Sequence, residues 1–322
     1  MGLFGVLCMA SCLVGCGSSG GEDELGDATS ESATDTSAST TSADTTSAGT
    51  TSADTTSADT TSADTTSADT NADATSTTGE GECPTWCPTP GTSWQWQLTG
   101  TLDTRVDVEM YDIDLFDTSA STIATLHEAG RIVVCYFSAG SHEDWRPDAG
   151  EFPPTAIGDP LDGWPGERWL DIRDPSVRAL MAARLDLALA QGCDGVEPDN
   201  VDGWANPSGF DLSGDDQLDY NRFLADQAHA RGLSVGLKND LDQIPDLVGD
   251  FDWALDEECL SYDECDLLAP FVAADKAVFH VEYVDSADQA AALANQVCPA
   301  APAGFSTLIK VWDLDAFRLA CP

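Results

Sequence analysis

Residues 81–322 are predicted to fold as a single (β/α)8, or TIM, barrel behind a disordered Ser/Thr/Asp-rich linker, and three observations lead there. The segment holds 242 of the 322 residues, close to the roughly 250 of such a barrel. Three times an amphipathic helix ends in Gly and a β-rich run follows. Polar residues then gather at the C-terminal ends of the strands, the face on which barrel enzymes build their sites.

Taken in order, residues 1–16 are a mostly apolar stretch of secretory length, too short to span a bilayer. They end in Leu13-Val14-Gly15-Cys16, which resembles the lipobox of bacterial lipoproteins with Cys16 as the lipidated residue, although no Lys or Arg precedes it. Residues 17–80 are Ser, Thr, Ala, Asp and Gly, with the unit Thr-Thr-Ser-Ala-Asp recurring. So few large apolar side chains cannot offset the entropy of ordering a backbone, and a disordered spacer is expected. The chain is therefore expected to be exported, as an outer-membrane or cell-surface lipoprotein or else secreted, and to meet a membrane only through its lipid anchor.

Strands are expected at 106–112, 132–137, 169–172, 193–197, 233–237, 251–255, 277–283 and 306–311. Helices at 123–129, 177–191 and 220–231 close on Gly130, Gly192 and Gly232, the usual residue beyond a helix C-terminus. Asp174 suits an N-cap and Pro175 a first turn. Strands separated by helical crossovers imply a parallel sheet, and with no Gly-rich phosphate fingerprint after the first strand a closed barrel is favoured over an open doubly wound sheet.

Thirteen of the 57 acids precede residue 81 and all 13 bases follow it, so residues 81–322 carry 44 acids against 13 bases, a net charge of −31. That balance excludes a nucleic-acid partner, which needs a basic footprint, and attracts cationic ligands. Eight of the 11 cysteines lie beyond the spacer. In an exported chain these imply disulfides, with pairs expected at Cys259–Cys265, Cys298–Cys321, Cys83–Cys87 and Cys135–Cys193. Four His without a His-Glu-x-x-His arrangement argue against a zinc hydrolase, and Ser138 lacks the Gly-x-Ser-x-Gly elbow of a serine hydrolase. No cofactor or metal is called for, and a monomer is expected.

The densest chemistry lies in 192–203, where Glu197, Asp199, Asn200 and Asp202 end a strand that would otherwise be buried; such charges need pairing or function. Lys238 and Asn239 end the next strand, Glu257 and Glu258 the one after, and Glu282 and Tyr283 the seventh. Asp112 and Asp171 end the first and third. Asp199 and Glu257 end alternate strands across one mouth, and Trp94, Trp96, Tyr136, Trp145, Trp169, Trp204 and Tyr283 are its aromatic candidates.

Trp94 to Leu98, Gly192 to Gly203, Gly236 to Asp240, Glu257-Glu258-Cys259 with Tyr262 to Cys265, and Glu282-Tyr283, in that order, resemble the glycoside hydrolase family 114 domain of endo-α-1,4-polygalactosaminidases over residues 93–322. The resemblance implies a (β/α)8 barrel that cuts galactosamine-containing polysaccharide. It also implies an Asp and a Glu as the catalytic pair, which fall on Asp199 and Glu257. Asp112, Tyr136, Asp171, Glu197, Asn200, Lys238, Asn239, Glu258, Glu282 and Tyr283 are then the expected substrate-binding groups. The rival from another class is a catalytically inactive surface lipoprotein that binds a cationic glycan or a cell-surface partner through the same mouth.

Overall fold

The computed structural model describes residues 86–322; the leader with Cys16, the spacer and Cys83 lie outside the described residues. Twelve strands and seven α-helices follow in order. They are β1 (Trp94–Gln97), β2 (Met110–Asp114), α1 (Ala120–Glu128), β3 (Ile132–Ser138), β4 (Ser141–Glu143), β5 (Ile157–Pro160), β6 (Glu167–Leu170), α2 (Pro175–Gln191), β7 (Gly195–Asp199) and α3 (Gly214–His229). After them come β8 (Ser234–Lys238), α4 (Ile244–Leu247), β9 (Trp253–Glu257), α5 (Cys259–Tyr262), α6 (Ala269–Ala273), β10 (Val278–Val284), α7 (Ala290–Ala300), β11 (Phe305–Val311) and β12 (Leu319–Ala320).

Nine strands form one sheet in the order β1-β2-β3-β7-β8-β9-β10-β11-β12, every neighbouring pair parallel except β11–β12. Each parallel step needs a crossover, and from β2 onward helices supply it on the outer face. The sheet curls: the Trp94 indole of the first strand donates to the Ser306 carbonyl of β11 at 2.8 Å, Leu98 N to the Leu314 carbonyl at 2.9 Å, and Gln95 Nε2 to the Ala316 carbonyl at 3.1 Å. Its two ends are thus tied by side chains and a C-terminal loop.

Two apolar layers follow from the two faces of this sheet. The inner one holds Trp94, Trp96, Met110, Val134, Trp253, Leu255, Phe279, Val281 and Leu308. The outer one packs the sheet on the helices through residues such as Ile123, Leu126, Val177, Met181, Leu185, Val196, Leu224 and Leu237. Gly236 belongs to the inner face, where a Cβ would sit 2.3 Å from the Trp253 ring, so the indole fills the space that any side chain would need.

Seven of the eight expected strands lie in the main sheet, most of them shifted by one or two residues toward the C-terminus. The run at 169–172 does not. Its strand, β6, is the centre of a separate antiparallel sheet β4-β6-β5 inserted between β3 and α2. The missing strand is β1, whose Trp-Gln alternation looks half exposed, yet all four residues are buried. The side-chain Nε2 groups of Gln95 and Gln97 donate to the carbonyls of Ala316, Thr99 and Thr101.

The caps behave as the sequence suggests. Asp174 accepts from Ser176 N with Pro175 in the first turn of α2, and Gly192 closes that helix at φ 93. Three disulfides are present, Cys135–Cys193, Cys259–Cys265 and Cys298–Cys321, and Cys87 is also disulfide-bonded. Among the described residues no helix is long and apolar enough to cross a membrane.

Candidate active site

Alternation along each strand puts residues i and i+2 on one face. Met110, Val134, Leu255 and Val281 belong to the inner layer, so Asp112, Tyr136, Glu257 and Tyr283, two places further along the same strands, also point inward at the C-terminal end. Glu197 and Asp199 on β7 and Lys238 on β8 meet them there.

Lys238 is the hub. Its Nζ lies 3.0 Å from Asp199 Oδ1, 3.0 Å from Glu257 Oε2 and 3.2 Å from Glu197 Oε1, and 5.0 Å above the Trp96 ring. Burial works against its charge, but Asp199, Glu257 and Glu197 more than compensate and hold the ammonium well above the usual lysine range. Asp199 and Glu257 have further donors. Tyr136 Oη donates to Asp199 Oδ2 at 2.9 Å and Asn200 N to Oδ1 at 2.7 Å. Tyr283 Oη makes a short hydrogen bond to Glu257 Oε1, Asn239 Nδ2 reaches Oε2 at 3.3 Å, and Glu257 N returns a bond to Asn239 Oδ1 at 3.1 Å.

Beneath them Asp112 and Glu197 are both fully buried, and Lys238 is the one cation in reach. Their carboxyl oxygens otherwise find no protein donor. Burial pushes Asp112 up to about 7 and Glu197 well above the carboxylate range, with each other's charge adding to the second shift.

The turns after these strands share a device. Asn200, Asn239 and Glu258, each directly after an inward Asp199, Lys238 or Glu257, take positive φ values of 60, 50 and 63. This left-handed conformation turns the chain sharply away and leaves the preceding side chain at the lip. Asn tolerates it; Glu does so at a cost. Asn200 Nδ2 also bonds Ser138 Oγ at 2.9 Å, and Ser138 joins Ser141 and Glu167 of the insertion. The insertion therefore buttresses the Asp199 side of the mouth.

Three expected site residues lie elsewhere or play another part. Asp171 follows β6 and is held by the Arg173 guanidinium at 2.8 Å, away from the hub, because its strand belongs to the insertion. Glu282 has the opposite parity to Tyr283. It points outward and accepts from Leu260 N, Ser261 N and Ser261 Oγ at 2.9, 3.2 and 2.6 Å, capping α5. Glu258 is half-buried beside Glu257, pushed up to about 7 by burial and by Glu282 and Glu257, and makes no side-chain bond to the hub. Of the aromatic candidates, Trp94, Trp96 and Trp169 are buried, and Trp204 donates to Asp240. Trp145 is exposed on the insertion.

Trp312, absent from the sequence candidates, stacks on Tyr283 with centroids 4.2 Å apart at 14°. Its only sequence signal is a Trp two residues beyond Lys310 at the end of the last long strand. Among the described residues, Cys259, Cys265 and His280 cluster at metal-ligand distance, but both thiols are spent on a disulfide. The hub itself, three carboxyl groups around one ammonium, offers donors and acceptors for a polyhydroxylated ligand.

The comparisons fit this arrangement. A crystal structure of Ega3 from Aspergillus fumigatus in complex with galactosamine is 48% identical, with a TM-score of 0.71 over 73% of this chain and 97% of that one. The glycoside hydrolase domain of PelA from Pseudomonas aeruginosa shares the fold at 16% identity, with a TM-score of 0.56 over 72% of this chain and 99% of that one. An uncharacterized protein of Deinococcus radiodurans is 30% identical over 125 residues, 34% of this chain and 41% of that relative's length. The model of glycoside-hydrolase family GH114 matches residues 75–322, most of the chain, and the protein accordingly belongs to that family of glycoside hydrolases.

Proposed function

We propose that the enzyme cleaves α-1,4-linked, galactosamine-containing polysaccharide at the mouth of a closed (β/α)8 barrel, with Asp199 and Glu257 as its two working carboxyl groups. The observation that carries this is Lys238 Nζ, 3.0 Å from an oxygen of each acid. The nearest oxygens of the pair therefore lie no more than twice that distance apart. A retaining glycosidase spaces its carboxyl groups about 5–5.5 Å and an inverting one roughly 6.5–9.5 Å, so the short bridge favours retention.

In that scheme Glu257, as the general acid, delivers a proton to the departing glycosidic oxygen while an Asp199 oxygen bonds the anomeric carbon. Water, deprotonated by Glu257, then breaks the glycosyl–Asp199 ester and restores both groups. Lys238, Tyr136 and Asn200 N hold the Asp199 carboxyl group in place at the mouth. The net charge of −31 on residues 81–322 suits a protonated amino sugar. The galactosamine bound to Ega3 supports the substrate class, and the disulfides support an oxidising compartment, in keeping with an exported monomer anchored through Cys16.

The test is reducing-end release from partly deacetylated galactosaminogalactan by the purified chain and by Asp199→Asn and Glu257→Gln. Loss of at least about 10²-fold in kcat is expected for each variant. Full activity in both variants, or binding without cleavage by the parent, overturns the assignment.

A further inference from the structure

Trp312 is nearly half exposed, at 47%, a large apolar surface left in water directly beside the hub. One face of its indole is covered by Tyr283, whose hydroxyl is bonded to Glu257. Of the exposed tryptophans among the described residues, Trp145, Trp164 and Trp312, it alone stacks on a side chain that holds one of the two acids.

The exposure does not come from a loose tail. Lys310 Nζ, buried in β11, donates to the carbonyls of Asp315 and Phe317. Leu98 N reaches the Leu314 carbonyl, Thr99 Oγ1 the Asp313 carbonyl at 2.6 Å, and Gln95 Nε2 the Ala316 carbonyl. Cys298–Cys321 fastens the chain just beyond. A pinned loop that keeps an indole in solvent has the ordering cost of a binding surface already met. Asp313, the next residue, is also exposed.

We propose that Trp312 is a sugar-stacking platform which, with the carboxylate of Asp313, forms a subsite for a cationic aminohexose unit neighbouring the one at the Asp199–Glu257 pair. The apolar face of a hexosamine ring packs on the open face of the indole, and its ammonium group finds an aromatic quadrupole and an acid at one edge. The subsite explains how a long polymer is gripped beyond the cleaved linkage, and it rests on the substrate reading above.

The experiment pairs steady-state kinetics of the full chain on α-1,4-galactosamine polymer with calorimetric binding of an α-1,4-galactosamine hexamer in the Glu257→Gln background. Trp312→Ala raises KM roughly tenfold with kcat within about twofold, and weakens hexamer binding by a similar factor. Trp312→Phe recovers part of both, and Asp313→Asn weakens the hexamer but not its fully N-acetylated form. Unchanged KM and affinity, or a fall in kcat alone, overturns the subsite, the latter because it places Trp312 behind Tyr283 as a positioning residue. If the parent fails to cleave while hexamer binding still depends on Trp312, the subsite stands and the hydrolytic reading of the substrate falls. No binding by any variant removes both.

Discussion

At the scale of single residues, one buried ammonium decides whether the site exists. Among the described residues Lys238 is the only cation in ion-pair contact with Asp199, Glu257 and Glu197, and removing it leaves three carboxyl groups crowded together. Lys238→Met should destabilise the protein by about 3–5 kcal/mol, the usual result of stripping one partner from a buried ion cluster. The surviving activity should move toward acidic pH, because extra protons must replace the lost charge. Urea titration and a pH–rate profile check this; wild-type stability with an unmoved profile contradicts it. Much of this cluster was legible in the sequence, since Glu197 and Asp199 stand two apart in a strand and Lys238 and Glu257 end the next two. The role of Glu282 was legible too, through a signal left unused: if Tyr283 faces inward, its neighbour on a strand faces outward. Trp312 carried no comparable pattern and needed coordinates.

Elements place these residues, and α5 shows how. This one-turn helix starts directly after Glu257 and Glu258, its first N–H groups satisfied by Glu282 from β10 and its body closed by Cys259–Cys265. Glu282→Ala orphans those donors and should cost about 1–2 kcal/mol. It should also lower kcat more than it changes KM, since Glu257 loses its backing without losing a substrate contact. Thermal melts and steady-state kinetics read both effects, and unchanged kcat would mean α5 does not position the acid. At this scale the sequence failed in an informative pair of places. The apolar run at 169–172 resembles a barrel strand because β6 is also half-buried, and periodicity cannot tell which sheet a strand joins. β1 hides because Trp94 and Gln95 are buried against backbone carbonyls brought from more than 200 residues away, partners no local window contains.

For the whole molecule, protonation should set stability. Asp202 is pushed up to about 6, Asp112, Glu167 and Glu258 to about 7, and Asp240 to about 8, burial being the first cause in each case. A carboxyl group with a raised folded pKa keeps a proton that the unfolded chain has released. Its stabilisation is fully present below the unfolded value near 4 and is lost as pH rises through the folded one. His229, raised by its bond to Asp252, acts in the same direction. Lys310, lowered to about 7 by burial, opposes them only above that pH. Tm should therefore fall steadily between about pH 5 and pH 7, by several degrees; a melting series that rises across this interval contradicts the assignment. The net charge of −31 on residues 81–322 reinforces the trend through self-repulsion.

The Cys135–Cys193 bridge has a final consequence. It joins β3 to β7 across a sequence separation of 58, and everything between them, including the whole antiparallel insertion, is a closed covalent ring. A protease that nicks the ring once, anywhere along it, opens the ring but releases no fragment. The two halves stay fastened at Cys135, next to Tyr136, so a cut there is survivable damage.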